Sequence, residues 1–175
     1  MTRIDLRDVL ARTVKTVYGD LVTRRTGEAV RFGIEAMLPE DDETTVIDFG
    51  TVRLMDMSCA DEIVGKLLLQ RGDGRYFLLA GVHAAHEDAL LPVLERHHRA
   101  VVAEDRTGVL TVLGSLPDSA RRAFGILADS GPALLDDVAA RLALPPEEAR
   151  SALETLRQYR VVREAGGHYQ ALRCA

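Results

Sequence analysis

The chain has 175 residues, of which 47% are hydrophobic and 28% charged, so it suits one large globular domain or two small ones with a real core. It contains no Trp, four Phe and four Tyr, which leaves no aromatic platform for stacking single-stranded bases. The formal net charge of −5 comes entirely from residues 1–116, because residues 117–175 carry eight Arg against eight acidic residues. Neither part has the basic excess that sequence-independent phosphate binding needs.

The two cysteines, Cys59 and Cys174, are too far apart for a metal or redox motif, which fits a reducing compartment. The first residues lack the unbroken apolar stretch of a signal peptide, and no later stretch is apolar enough to span a bilayer. These features predict a cytoplasmic protein.

The N-terminal part contains two predicted helices and a strand. Apolar residues recur three and four positions apart and predict a first amphipathic helix through Leu6, Val9, Leu10, Val14, Val17 and Leu21. A second helix is predicted over residues 27–38, followed by an acidic loop at 40–43. Residues 45–49 form a short apolar strand that ends at Gly50.

From Ser58 onward, predicted helices and strands alternate. A helix over residues 58–68 precedes a strand at 76–80, whose lack of polar residues indicates that both faces of the sheet are covered. The next helix either begins at Pro92 or is kinked there. Strands follow at 100–103 and 109–113. This alternation predicts parallel pairing with right-handed crossovers, hence a layered α/β domain.

Beyond Pro117 the pattern changes to three short helices, around residues 120–127, 138–142 and 146–156. Two apolar runs then flank Ala165-Gly166-Gly167, which is a hairpin signal. Three helices and a terminal hairpin predict a winged helix-turn-helix. The predicted organisation is an N-terminal amphipathic helix (1–25), an α/β domain (26–114) and a winged helix (117–175). The N-terminal helix either caps the sheet or forms a dimer seam.

Two segments carry a family resemblance. Val46-Ile47-Asp48-Phe49 and Ser58-Cys59-Ala60-Asp61-Glu62 resemble STAS domains, the fold of anti-sigma-factor antagonists, and most closely its STAS-like bacterial branch. Thr23-Arg24, Gly27 and Arg31 resemble the entry motif of that branch. The likeness covers about residues 20–113 and implies a STAS-like layered sheet. Cys59 stands where the branch usually has an aromatic residue.

The resemblance implies a switch at Ser58, together with the neighbouring Asp56, Asp61 and Glu62. In antagonists of this family a partner kinase phosphorylates the matching Ser and the complex then breaks. A phosphate there would meet the N-terminus of a helix and would add about −1.5 to −2 of charge to a docked interface. The alternative interpretation is structural, with Ser58 as a helix N-cap and Asp61 at the third helical position.

Two groups of residues resemble parts of enzyme sites. Asp48, Asp56, Asp61 and Glu62 would suit a receiver-like acidic pocket or a metal, but Lys15 and Lys66 are the only lysines and neither ends a later strand. His83 and His86 could supply two metal ligands, whereas a site needs three or four. No nucleophile motif is present. We therefore expect no catalytic residues, no metal, no cofactor and no enzyme activity.

The predicted winged helix offers candidate DNA contacts. Base edges would be met by the outward face of its third helix, and phosphates by the wing, through Arg150, Ser151, Thr155, Arg157, Arg160, Arg163 and His168. Glu147 and Glu148 oppose this role, because they lead the helix and residues 146–159 carry three Glu against two Arg.

Together these features predict a non-enzymatic bacterial regulator, expected to be a homodimer. Its STAS-like domain would dock a histidine-kinase-like ATPase or an anti-sigma factor, and its winged helix would bind double-stranded DNA. The alternative is a signalling adaptor whose winged helix mediates dimerisation or partner docking without DNA.

Overall fold

The structure is a computed structural model that describes residues 1–14, 20–40 and 44–174. Its described part is a mixed α/β fold with a parallel-rich central sheet and seven helices. The strands are β1 (Thr2–Asp5), β2 (Asp20–Leu21), β3 (Thr44–Asp48), β4 (Leu54–Met55), β5 (Tyr76–Ala80), β6 (Ala100–Glu104), β7 (Leu110–Gly114), β8 (Ala133–Leu134), β9 (Val162–Ala165) and β10 (His168–Ala171).

The helices are α1 (Leu6–Thr13), α2 (Arg24–Glu35), α3 (57–71), α4 (Ala84–Arg96), α5 (Asp118–Ser130), α6 (Leu135–Leu142) and α7 (Pro146–Gln158). Helix α3 is composite. It opens with an α-turn at Met57–Ala60, continues as a π-helix at Asp61–Lys66, and returns to α-helix at Leu67–Arg71.

The central sheet has the strand order β1-β3-β5-β6-β7. Strands β1, β3, β5 and β6 are parallel, which confirms the predicted parallel core. Strand β7, however, runs antiparallel to β6, so the prediction of parallel pairing throughout was wrong at this edge. The reason is the short turn over residues 105–109, since a parallel crossover needs a dozen or more residues.

The N-terminal residues belong to this sheet. Strand β1 pairs in parallel with β3, an arrangement that the prediction of a plain helix over residues 1–25 missed. Helix α1 ends at Thr13, and Leu21 is not helical but lies in β2, paired with β4. Val17 lies outside the described residues. Helix α1 packs on α2 and so covers the sheet.

Both faces of the sheet are covered, as the apolar sequence of β5 predicts. One face, with Ile47 and Leu79, joins a core formed with α1 to α4. The other face, with Val46, Leu78 and Val102, joins a second core formed with the C-terminal helices. Residues 117–174, called here the C-terminal module, therefore complete the sheet packing.

The C-terminal module has the order α5, β8, α6, α7, β9, β10, with a small antiparallel sheet in which β10 lies between β8 and β9. Helix α7 packs on both α5 and α6, while α5 packs on β7. Pro146 is the first residue of α7. Its lack of an N–H group costs no hydrogen bond there, because N–H groups in the first turn have no partner within the helix. The three helices and the hairpin occur where the sequence predicts them.

Helix α4 runs from Ala84 to Arg96 with Pro92 inside it, so it does not begin at the proline. Pro92 is exposed, on the side of α4 away from the core. Among the described residues, no helix combines the length and the apolar character needed to cross a membrane.

Candidate functional site

The N-terminal end of α3 is organised by Asp56. Its carboxylate accepts hydrogen bonds from the N–H groups of Cys59 (2.8 Å) and Thr23 (2.9 Å) and from the hydroxyl of Ser58 (2.8 Å). Partial burial raises the pKa of Asp56, but these hydrogen bonds outweigh burial and hold the pKa below its ordinary value. Asp56, and not Ser58, is thus the N-cap, which corrects the structural interpretation of Ser58.

Ser58 instead lies in the first turn of α3, half-buried, with its hydroxyl directed at Asp56. A carboxylate two residues upstream is a strong acceptor for the free N–H groups of the first turn and displaces Ser58 from the capping role. The predicted switch residues Asp56 and Ser58 are therefore in direct contact.

Thr23 is held in an unusual conformation by the same carboxylate. Its φ of 77° lies in the left-handed region, which costs about 1–3 kcal/mol for a residue of this kind. The Asp56 bond to its N–H and the Cys59 thiol, 3.0 Å from its carbonyl, fix it there. Burial is the main cause that raises the pKa of Cys59 to about 12, so this thiol is not a nucleophile.

An exposed apolar patch surrounds this end of α3. In the β2–β4 ladder, Leu21 and Met55 point inward and are buried. Leu54 in β4 points to the opposite side and is 52% exposed, and Val22, which directly follows β2, is 41% exposed. Met57, which opens α3, is 49% exposed. Val22, Leu54 and Met57 are called here the apolar patch.

Directly below Ser58 on α3, the other two predicted switch residues form a buried ion network. Glu62 is 1% exposed and lies 2.8 Å from Arg24, 2.5 Å from Lys66 and 3.4 Å from Arg31. Burial raises the pKa of Glu62, but the three cations outweigh it and hold the pKa below its ordinary value.

Asp61 is equally well compensated. Its carboxylate lies 2.6 Å from Arg96, 2.8 Å from His97 and 2.9 Å from Arg24. Burial raises the pKa of Asp61, but the contacts with His97, Arg24 and Arg96 outweigh burial and lower the pKa to about 2. Asp61 and Glu62 therefore remain ionised at neutral pH and hold α2, α3 and α4 together.

The π-helical segment of α3 carries both carboxylates, and such segments recur at functional sites. Glycines permit the close helix packing around it. A Cβ at Gly27 would lie 2.9 Å from the Cα of Cys59, and one at Gly65 would lie 2.7 Å from Val93. Arg24, Gly27 and Arg31 are spaced so that all three lie on one face of α2, the face that packs on α3.

Gly27→Ala is expected to destabilise the protein by about 1–3 kcal/mol, because the new methyl group meets the backbone of α3 and forces α2 away. Gly125→Ala on α5 is the matched control. Nothing lies within 4 Å of its Cβ position, so the helix propensity of Ala should stabilise by about 0.5–1 kcal/mol. Urea unfolding of both variants measures this, and equal effects would show that α2 and α3 are not in close contact.

A second polar feature lies beside β3, at the start of α4. The rings of His83 and His86 stack at 3.6 Å, and His86 is completely buried beside Phe49. In the described structure neither ring nitrogen of His86 has a hydrogen-bond partner of standard geometry. Burial and the neighbouring His83 lower the pKa of His86 to about 4, from an ordinary 6.5.

Stability is expected to fall as the pH decreases from 6.5 to about 4. Within this window the unfolded chain binds a proton at His86 that the folded chain does not, so acid favours unfolding. His86→Leu should flatten this dependence with little effect at neutral pH. Asp61 stays ionised throughout, since its pKa is about 2. Urea unfolding between pH 6.5 and about 4 measures how the free energy of unfolding depends on pH. An unchanged pH dependence in the variant would show that a group other than His86 causes it.

Asp48 lies apart from the other carboxylates that would suit a metal or a receiver-like pocket. Asp48 pairs with Arg3 at 2.8 Å and accepts the Gly50 N–H, whereas Asp61 and Glu62 lie in the network between α2, α3 and α4. Over residues 1–14, 20–40 and 44–174, no three His, Cys, Asp or Glu side chains come together in a way that could hold a metal ion.

Two of the candidate DNA-contacting arginines lie against the central sheet. Arg160 and Arg163 both lie over the ring of Tyr76 in β5, at 5.1 and 3.9 Å, and Arg163, in β9 of the hairpin, also bonds Thr44 at 3.0 Å. They join the C-terminal module to the central sheet, because the arginine side chains stack on the aromatic face.

The other candidates lie on the outer side of the C-terminal module. Arg157 pairs with Glu154 at 3.0 Å and Glu164 at 3.4 Å. The Thr155 hydroxyl donates to a backbone carbonyl within α7. Arg150 and Ser151 are exposed on α7, and within the described residues their side chains form no hydrogen bond or ion pair. His168, at the start of β10, is exposed, and its Nδ1 lies 3.3 Å from the Gly166 carbonyl oxygen.

Comparison with known protein families, with curated proteins and with solved structures finds no match to this chain. The fold therefore defines its class as a mixed α/β protein with a parallel-rich sheet covered on both faces.

Proposed function

We propose that this protein is a non-enzymatic regulator that binds a protein partner on the surface at the N-terminal end of α3. The observation that carries the proposal is the apolar patch of Val22, Leu54 and Met57, exposed around Ser58. Exposed apolar groups collected beside polar ones are typical of protein interaction sites. The Asp56 hydrogen bonds and the ion network below keep this surface rigid, which lowers the entropic cost of docking.

The STAS-like sequence resemblance supports a partner of the histidine-kinase-like ATPase or anti-sigma-factor class. It also supports Ser58 as a phosphorylation switch. The Ser58 hydroxyl donates to Asp56 at 2.8 Å, so a phosphate would replace an attractive contact with repulsion between two anions. Asp56 also holds Thr23, beside Val22 in the apolar patch, so that repulsion would disturb the docking surface itself.

The C-terminal module is proposed to act without DNA, as a cover for the sheet and a support for docking. Two of its candidate phosphate contacts, Arg160 and Arg163, stack on Tyr76. Arg157 pairs with Glu154 and Glu164, whose carboxylates are themselves exposed, so that this surface presents no excess of positive charge. These contacts favour the adaptor hypothesis over a transcription regulator.

Met57→Glu is expected to abolish partner capture, because it places a charge in the centre of the apolar patch. The fold should be unaffected, since an acidic residue in the first turn of α3 interacts favourably with the helix dipole. The measurement is affinity capture from the source cells with mass-spectrometric identification, using Val109→Glu, at an equally exposed site far along the chain, as the matched control. Undiminished capture of the same ATPase or anti-sigma factor by Met57→Glu would refute this docking surface.

One observation favours DNA binding as a second candidate function. The order of α5, β8, α6, α7 and a terminal hairpin, with β8 paired to β10, supports the hypothesis of a winged helix, and Arg150 and Ser151 are exposed on α7. A gel shift with genomic fragments at about 0.15 M salt tests it. Specific binding that Arg150→Gln removes would support this function.

A further inference from the structure

A second charged surface lies next to the proposed docking site. Arg24, Lys66 and Arg96, called here the cation cluster, have side chains that are 55%, 37% and 56% exposed. The carboxylates that they contact are almost completely covered, with 9% of the Asp61 side chain and 1% of the Glu62 side chain exposed. Solvent therefore meets the cations, while the compensating negative charges lie beneath them.

The three cations are close neighbours. Arg24 and Lys66 both contact the same oxygen of Glu62, at 2.8 and 2.5 Å, while Arg24 and Arg96 contact the two oxygens of Asp61. Arg31, which is buried below them, pairs with both Glu62 and Glu35. Four cations, Arg31 and the cation cluster, thus contact three carboxylates, those of Asp61, Glu62 and Glu35, which leaves one positive charge in excess on a chain whose net charge is −5.

The buried acids also fix the cations in position. Arg24 makes contacts with both acids, and Lys66 and Arg96 make one each, so all three side chains have already lost much of their conformational freedom. A ligand that binds them incurs less of the entropic cost of ordering flexible side chains. Glu28, one turn from Arg24 along α2, is exposed and forms no ion pair with Arg24 in the described structure.

The cluster is continuous with the proposed docking surface. Ser58, Asp61 and Glu62 are separated by three and four positions, which places them on one face of α3. Arg24, bound to both acids, also directly follows Thr23, which is held by Asp56. A partner that covers Met57 and Ser58 would therefore reach the cluster within about one helical turn.

We propose that the cation cluster binds a carboxylate-rich segment of the protein partner. This inference rests on the proposed function and specifies the partner's chemistry as apolar residues for the patch beside acidic residues for the cluster. Carboxylates of the partner would accept hydrogen bonds from Arg24, Lys66 and Arg96, and the positive surface would accelerate the encounter of the two proteins at low salt.

The test uses the full chain and a fluorescent hexaglutamate peptide as the probe. We expect salt-dependent binding by fluorescence anisotropy, with NMR shift changes confined to the residues of the cation cluster and their neighbours. The double variant Lys66→Gln/Arg96→Gln should bind about tenfold more weakly, because two of three charges are lost. Each buried acid keeps Arg24 and one further partner, and the melting temperature checks that the variant is folded.

The matched control is Arg12→Gln/Arg150→Gln, which removes the same charge from exposed positions on α1 and α7. The proposal is overturned if both double variants bind the peptide equally, if the NMR changes in the unmodified protein lie elsewhere, or if inorganic phosphate but not the peptide binds the cluster. If the natural partner is lost in Met57→Glu but retained by Lys66→Gln/Arg96→Gln, the docking function stands and the acidic-segment proposal fails.

Discussion

Replacing Glu62 by glutamine is expected to lower the free energy of unfolding by about 3 kcal/mol. Removal of one member of a buried ion pair weakens the compensation of its partner in a low-dielectric environment. Arg31 is that partner, because it is nearly as buried as Glu62 and lies 3.4 Å from it, and it would keep only Glu35, at 2.8 Å, as an anionic partner. The expected loss of stability is near the lower end of the range for broken buried ion pairs, because Arg24 and Lys66 are partly exposed and can be solvated.

Chemical denaturation of the variant measures this loss, with Glu95→Gln, an exposed acid on α4, as the control. The control should change stability by less than about 0.5 kcal/mol, as surface substitutions usually do. A Glu62 variant as stable as the control would mean that the network does not hold α2, α3 and α4 together.

Deletion of the C-terminal module is expected to have a larger effect, because residues 1–115 should lose cooperative folding altogether. The deletion uncovers one whole face of the sheet, including the fully buried Val46, Leu78 and Val102. At roughly 25 cal/mol for each Å² of apolar surface, exposure of several such side chains exceeds the 5–15 kcal/mol stability of an ordinary domain.

The fragment should bind a hydrophobic dye and show a broad thermal transition, whereas the full chain should unfold in a single cooperative step. A monomeric fragment with a sharp transition and a well-dispersed NMR spectrum would contradict the shared core. It would show instead that the C-terminal module is an independent domain.

The sequence predicts the local elements well wherever burial follows a regular period. The apolar run of β5 correctly indicates a strand covered on both faces, and the spacing of Ala149, Ala152, Leu153 and Leu156 matches the buried face of α7. The hairpin at Gly166-Gly167 follows from residues that tolerate a positive φ, and both glycines adopt one. Each of these features depends on neighbours within a few residues.

Features that depend on distant residues were not predictable. Strand β1 is too short to show a period, and its place beside β3 follows from pairing over 43 positions, as between Thr2 and Thr45. The stacking of Arg160 and Arg163 on Tyr76 joins parts of the chain that share no sequence signal. Alternation of helices and strands predicts parallel pairing, whereas the short connection between β6 and β7 permits only an antiparallel pair.

The sequence predicted which residues form the candidate site but not how they contact one another. The sequence indicates both the segment around Ser58 and the motif with Arg24 and Arg31. It does not indicate that Arg24 and Arg31 form ion pairs with Asp61 and Glu62 of that segment. The capping role of Asp56 was missed for a local reason. Two acceptors, Asp56 and Ser58, compete for the same N–H groups, and the carboxylate prevails.

The most direct test of the proposed function is photo-crosslinking in the source cells from a reactive residue placed at position 57 or at position 150. The proposed docking surface predicts a crosslink from position 57 to one protein of the histidine-kinase-like ATPase or anti-sigma-factor class, and none from position 150. Crosslinks from position 150 to DNA or to another protein, with none from position 57, would contradict the central claim and move the functional surface to the C-terminal module.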